Sequence, residues 1–207
     1  MIGPLLQKLN ATRVCLASGS PRRRELLNVL GMKFEVIPSE FDERSLQKPL
    51  FPHPSKFVEE SSRCKANEVL ERAGSNLDVI IAADTVLSFQ GDILEKPIDS
   101  DDAVRMLTRL SGQSHYVYTG VTIISLLESR AEPKIVTFHE CTQVFFADLP
   151  QAVIAAYVDT KEPLDKAGSY GIQGRGGALV KRIEGDYFNV VGLPIHKVSC
   201  QLVDLLS

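Results

Sequence analysis

A serine- and arginine-rich turn near the N-terminus, Ser18-Gly19-Ser20-Pro21-Arg22-Arg23-Arg24, carries residue types suited to holding an anion. Serine hydroxyls, free backbone N–H groups and guanidinium forks at one helix start resemble a phosphate cradle. A helix N-terminus bears partial positive charge and unpaired donors, so it ordinarily attracts Asp or Glu. Three successive arginines oppose that rule, and an anionic ligand would account for them. The plainer alternative is a solvated arginine face paired with carboxylates such as Glu25. The turn is not a Walker loop, because no Gly-Lys-Ser/Thr follows. Nor does it carry the G-x-G-x-x-G of a dinucleotide fold. Further along the chain, Glu40, Lys65, Asp84 and Lys96 add two carboxylates and two cations. Phosphoryl chemistry needs cations against phosphate charge, carboxylates to hold Mg²⁺, and a base or metal to activate water. Taken singly, Asp84 suits a cap or turn, Glu40 a solvated acidic turn, and the lysines an ordinary surface. Their conjunction is what points to chemistry.

These residues need elements to position them. Residues 13–17 read as a short buried strand, and residues 21–30 as a helix with Ser20 as N-cap, Pro21 at the first position and Gly31 as stop. Residues 33–37 alternate like a strand and run into the acidic turn at Glu40. Three prolines make residues 44–54 a loop. Ser55 is expected to cap a helix to Ala73, closed by Gly74, with Lys65 near the edge of its inner face. Residues 77–83 are almost wholly apolar, the pattern of a strand buried on both faces, ending at Asp84-Thr85. A hairpin then turns at Gln90-Gly91, and its register sets Lys96 opposite Thr85, close to Asp84. A helix with an acidic first turn at Asp99, Asp101 and Asp102 ends near Leu110. Strands at 115–127 and 134–146, joined by a turn containing Pro133, and a helix at 149–158 follow. Residues 165–177 hold too many glycines for a regular element and read as a functional loop. Strands at 178–183 and 187–191 and a helix at 194–205 complete the expectation.

Composition bounds the function. The 207 residues suffice for one core or for two small lobes sharing a cleft, and a net charge of −3 argues against a nonspecific nucleic-acid binder. Four scattered cysteines without C-x-x-C spacing suggest free thiols in a reducing compartment. No apolar run reaches membrane-spanning length and residues 1–12 lack a signal-like core, so no membrane partner and a cytoplasmic location are expected.

Read together, the segments Ser18 to Arg23, Ser39-Glu40-Phe41-Asp42-Glu43, Lys65-Ala66, Ala83-Asp84-Thr85-Val86 and Glu95-Lys96-Pro97 resemble the Maf family of nucleotide pyrophosphatases. The resemblance continues through Leu110-Ser111-Gly112, Thr119-Gly120, Glu162-Pro163-Leu164-Asp165-Lys166-Ala167-Gly168 and Gly171-Ile172-Gln173-Gly174. The motifs fall in the family's order from about residue 13 to 194, and are most similar to a Maf domain joined to a methyltransferase-like region. The resemblance implies a single Maf-like domain over residues 1–207, a two-lobed mixed α/β fold with a deep central cleft, as a homodimer. It implies cleavage of a nucleoside triphosphate between its α- and β-phosphates, with a divalent cation, Mg²⁺ or Mn²⁺. The family's proton acceptor matches Asp84, and its other functional positions match Ser20, Arg23, Glu40, Lys65 and Lys96. Glu40 and Asp84 would share the metal, while Arg23, Lys65 and Lys96 would stabilise departing charge. Arg22, Thr85 and Gln173 match the branch acting on dTTP and UTP, with CTP and modified pyrimidine nucleotides as further candidates. One glutamine amide can meet both the N3–H donor and the O4 acceptor of uracil. Arg24 lies outside the motif and is assigned to the surface. A regulatory module that binds nucleotide without turnover is the alternative, although binding alone would not need the whole set.

Overall fold

The computed structural model describes Ile2–Glu128 and Glu132–Leu206. The chain opens with a 3₁₀ turn and the short helix α1 (Leu6–Asn10), then β1 (Val14–Leu16), α2 (Pro21–Val29) and β2 (Glu35–Val36). Helix α3 (Pro54–Ala73) leads into β3 (Val79–Phe89) and β4 (Asp92–Leu94). After α4 (Ser100–Leu110) come β5 (Ser114–Ser125) and β6 (Lys134–Phe146), then α5 (Gln151–Asp159), β7 (Val180–Glu184), α6 (Tyr187–Val191) and α7 (Ile195–Leu206). The result is mixed α/β. One sheet runs β2-β1-β3-β5-β6-β7, with β4 paired to β3. Strand β1 is parallel to both β2 and β3, whereas β4 and β7 pair antiparallel with β3 and β6.

The chain divides into two compact units. One takes the described residues of Met1–Asp84, Thr119–Glu140 and Gly192–Ser207; the other takes Thr85–Tyr118 and Cys141–Val191. The first is built on Cys15, Ala17, Ala66, Val69, Ile80, Ala82 and Ile124. The second packs Leu87, Leu107, Val144, Phe146, Ile154 and Tyr170 among others. Within the first unit α3 lies directly on β5: any side chain at Gly120 would overlap the backbone of Val58 and Glu59. None of the four cysteines, Cys15, Cys64, Cys141 and Cys200, is joined in a disulfide. Among the described residues, no helix is long and apolar enough to cross a membrane.

The structure departs from the sequence expectations at four places. Helix α3 begins two residues early: Pro54 takes its first position and His53, not Ser55, caps it, with His53 Nδ1 accepting from Ser55 N at 3.2 Å. The 33–37 strand shrinks to two residues. Strand β3 does not stop before Asp84 but continues as one element to Phe89. Asp84 is buried within the strand with its charge answered by Lys65 at 2.8 Å. The hairpin turn is as read: Gln90 and Gly91 both have positive φ, 53° and 89°, and Phe89 faces Asp92. Residues 187–191 form a helix rather than a strand. The Asp186 carboxylate accepts from Phe188 N at 2.8 Å and starts the turn, a local bond that outweighs the β-propensity of Tyr-Phe-Asn-Val-Val. The turn expected between β5 and β6 falls partly on residues 129–131, outside the described residues.

Candidate active site

The first part of the site is the turn from β1 into α2. Val14, Cys15 and Leu16 are buried, which anchors the strand, and Ser18 is buried at its exit. Ser20 occupies the N-cap position with an extended backbone, but its hydroxyl makes no capping bond. The capping expectation fails because Ser18 does the local work. Its Oγ accepts from Ser20 N at 3.3 Å and from Arg23 Nη1 at 3.0 Å. Arg23 also donates through Nε to the carbonyl of Gly192 at 2.8 Å. The guanidinium is thereby fixed beside the turn. Burial pulls its pKa below the ordinary arginine value, partly offset by Asp84 and Glu43. No acidic residue occupies the first turn of α2, so its amide donors and positive end have no counter-charge of their own on the helix. Arg22 is half-buried and Arg24 exposed.

The second part is a charge cluster between α3 and β3. Along α3, Val58, Ser61, Ser62, Lys65, Ala66 and Val69 recur at helical spacing as one buried stripe. Sequence pattern places Lys65 at the edge of that stripe, yet it is within it, only 7% exposed. Lys65 Nζ donates to Asp84 Oδ1 at 2.8 Å and to Glu43 Oε1 at 2.7 Å. Asp84 is itself 6% exposed. Burial acts to raise its pKa, but Lys65 and Arg23 outweigh that and hold it below the usual carboxylate range. Its other oxygen, Asp84 Oδ2, is buried without a hydrogen-bond partner, as is Ser61 Oγ. A desolvated acceptor left open in this way costs free energy in the resting protein, which makes it a place where an incoming donor or cation gains.

The remaining expected residues are placed as follows. Glu40 is exposed, and its backbone N–H donates to Glu68 Oε2 at 2.9 Å. The carboxylate that actually shares Lys65 with Asp84 is Glu43, in a 3₁₀ turn three residues on. Thr85 follows Asp84 on β3 and is half-buried. Lys96 is exposed and lies beyond β4, whose pairing ends at Leu87↔Leu94, so the ladder does not extend to set it opposite Thr85. Gln173 is exposed in the glycine-rich segment of the second unit. Sequence reasoning missed Glu43 and Ser61. Glu43 stands inside the quoted Ser39 to Glu43 motif, and Ser61 lies one turn before Lys65 on the same face.

Among the described residues, no three His, Cys, Asp or Glu side chains gather into a metal-binding group. The donors present are those of a hard cation that takes one or two carboxylates and completes its shell with water and phosphate. The open Asp84 Oδ2 fits such a cation.

Comparison with known proteins places the chain among named relatives. Residues 13–205 match the family model described as Maf-like protein. The chain is 45% identical over 208 residues to a human protein named probable bifunctional dTTP/UTP pyrophosphatase/methyltransferase protein, covering 98% of this chain and 33% of that one. It is 45% identical over 193 residues to a dTTP/UTP pyrophosphatase of Bacillus cereus, covering 93% of this chain and 90% of the relative. A dTTP/UTP pyrophosphatase of Bacillus thuringiensis is 47% identical over 191 residues, with 92% and 94% covered. The chain thus spans a third of the human relative and nearly all of the bacterial ones. With the motifs, the mixed α/β fold and the match over almost its whole length in agreement, the chain belongs to the Maf family.

Proposed function

We propose that this chain hydrolyses dTTP and UTP between the α- and β-phosphates, releasing the nucleoside monophosphate and pyrophosphate. The observation that carries the reading is the buried Asp84, ionised by Lys65 and left with one open oxygen. The names of relatives at about 45% identity over nearly the whole chain support the substrate class. A carboxylate held below its usual pKa is ionised at neutral pH but weakly basic. That favours orienting the attacking water over outright proton removal. Arg23, Lys65 and Lys96 supply positive charge for the departing pyrophosphate, and the Ser20 hydroxyl with the amides of α2 holds a phosphate oxygen. A divalent cation, Mg²⁺ or Mn²⁺, would neutralise phosphate charge and acidify water; Asp84 would hold it. Glu43 is preferred to Glu40 as the second carboxylate, because it already shares Lys65 with Asp84. Arg22, Thr85 and Gln173 select the pyrimidine, and CTP is a weaker substrate. The protein works as a cytoplasmic homodimer. Incubation with UTP and Mg²⁺, followed by chromatography for UMP and a pyrophosphate assay, tests the reading. Release of UDP and phosphate, or binding without turnover, would refute it.

A further inference from the structure

The segment from Tyr170 to Leu179 has only a short 3₁₀ turn to support it, Arg175–Leu179, yet its backbone is densely bonded. The bonds converge on one side chain. Glu162 Oε1 accepts from Gly176 N at 3.1 Å and from the Tyr157 hydroxyl at 3.0 Å, while Oε2 accepts from Arg175 N at 3.0 Å. The Tyr157 oxygen in turn accepts from Gly171 N at 3.2 Å. Lys166 Nζ donates to the Glu162 carbonyl at 2.6 Å. The glycines are what let the chain wrap this closely. A Cβ at Gly174 would overlap the Glu162 carboxylate, one at Gly176 the Tyr157 hydroxyl, and one at Gly171 the Lys166 side chain. Burial tends to raise the Glu162 pKa, but the amides of Gly176 and Arg175 prevail and hold it low, so the carboxylate is a fixed charged acceptor.

Gln173 stands between the bonds to Gly171 and those to Arg175 and Gly176, and is itself exposed. We infer that Glu162, with Tyr157 as its relay, is the positioning residue of the base-selecting loop: it fixes the backbone on both sides of Gln173 and so sets uracil selectivity without touching the nucleotide. The inference rests on the proposed role of Gln173. Loops that carry selectivity lose it when their backbone is free to wander, because the amide then meets competing bases equally well.

Glu162→Gln keeps the shape but turns one accepting oxygen into a donor facing a backbone N–H. Three quantities test the idea in the intact protein: amide hydrogen exchange at Arg175 and Gly176 without nucleotide, kcat/KM for UTP and CTP, and melting temperature. Exchange at both amides should quicken about tenfold, and the UTP-over-CTP preference should fall about tenfold through KM, the loss of one charge-assisted hydrogen bond. Tyr157→Phe should move both readouts in the same direction by less, and it carries the test if Glu162→Gln does not fold. Faster exchange with an unchanged UTP-to-CTP ratio would make Glu162 merely structural and overturn the inference, as would unchanged exchange. A wild-type enzyme that cleaves UTP and CTP equally would refute the Gln173 reading before any variant is made, and the inference with it.

Discussion

Asp84 in the first unit and Glu162 in the second are both sheltered carboxylates, both held below their usual pKa, and they are held by opposite means. Asp84 is answered by a cation. Lys65 sits against one oxygen, and the other has no partner. Glu162 is answered by backbone amides and a phenol, and both its oxygens are engaged. The first arrangement stands on a strand and a long helix, so its geometry is set by the core. The second stands on a loop, so the side chain sets the geometry of the backbone instead. An acceptor with a vacancy is poised for a ligand, whereas a saturated one is a fastener. On the proposed reading, function divides along that line, with reaction on regular elements and selection on a segment pinned by a few bonds.

The largest effect should come from filling or emptying the first site. Asp84→Asn keeps the contact with Lys65 but removes charge, so turnover should fall roughly 100- to 10,000-fold while the melting curve scarcely moves. Lys65→Met on the same footing strands Asp84 as a buried unpaired charge, and urea unfolding should show a loss of about 3–5 kcal/mol. Equal stability of the two variants would break the contrast. Next is Gln173→Glu, which presents a carboxylate to O4 of uracil. Its cost should be about 30- to 1000-fold in kcat/KM for UTP and less for CTP, whose amine at that position is a donor. Equal losses on both nucleotides would remove the selective role of the loop.

A third measurement sharpens what an unpartnered buried polar atom means. His115 is fully buried in the second unit, with Nε2 at 2.8 Å from the Tyr170 hydroxyl and Nδ1 without a partner. Burial pulls its pKa down to about 3. The unfolded chain protonates near pH 6.5 while the folded one does not, so stability should fall with pH across the window from 6.5 to 3. At pH 5 the loss should be about 2 kcal/mol relative to pH 7 by urea unfolding, and His115→Gln should flatten that difference. Its vacancy is closed in by Phe146 and Tyr170 and belongs to the core, not to a ligand. The smallest effect is expected at Ser20. Since its hydroxyl does not cap α2, Ser20→Ala should alter stability by less than about 0.5 kcal/mol and raise KM for UTP about tenfold. A loss of stability with unchanged KM would return Ser20 to the role of a cap.

Much of this was legible in the sequence, because periodicity and turn chemistry are local. The 3.6-residue stripe of α3, the Gln90-Gly91 turn and the arginine-led start of α2 all declare themselves within a dozen residues. What escaped was decided by partners far away in the chain. Asp84 reads as the end of a strand until Lys65, nineteen positions earlier, is found against it. Glu40 and Glu43 are chemically alike, and only the fold tells which one reaches Lys65. The exception is local: residues 187–191 read as strand because their side chains favour one, and the single bond from Phe188 N to Asp186, two residues away, reverses the outcome. The glycine-rich segment was recognisable as an irregular stretch, yet its fastener, Glu162, lies outside it.

The contact at Gly120 has a meaning for anyone wishing to re-engineer this enzyme. At Gly120, helix α3, which carries Ser61 and Lys65, meets β5 backbone to backbone, with no side chain at that point to trim. Most helices can be nudged by repacking the residues beneath them; at Gly120 this one has no such adjustment screw. New substrates will have to be accommodated by exchanging groups on a fixed rail, because the rail itself has been set to the width of a single hydrogen atom.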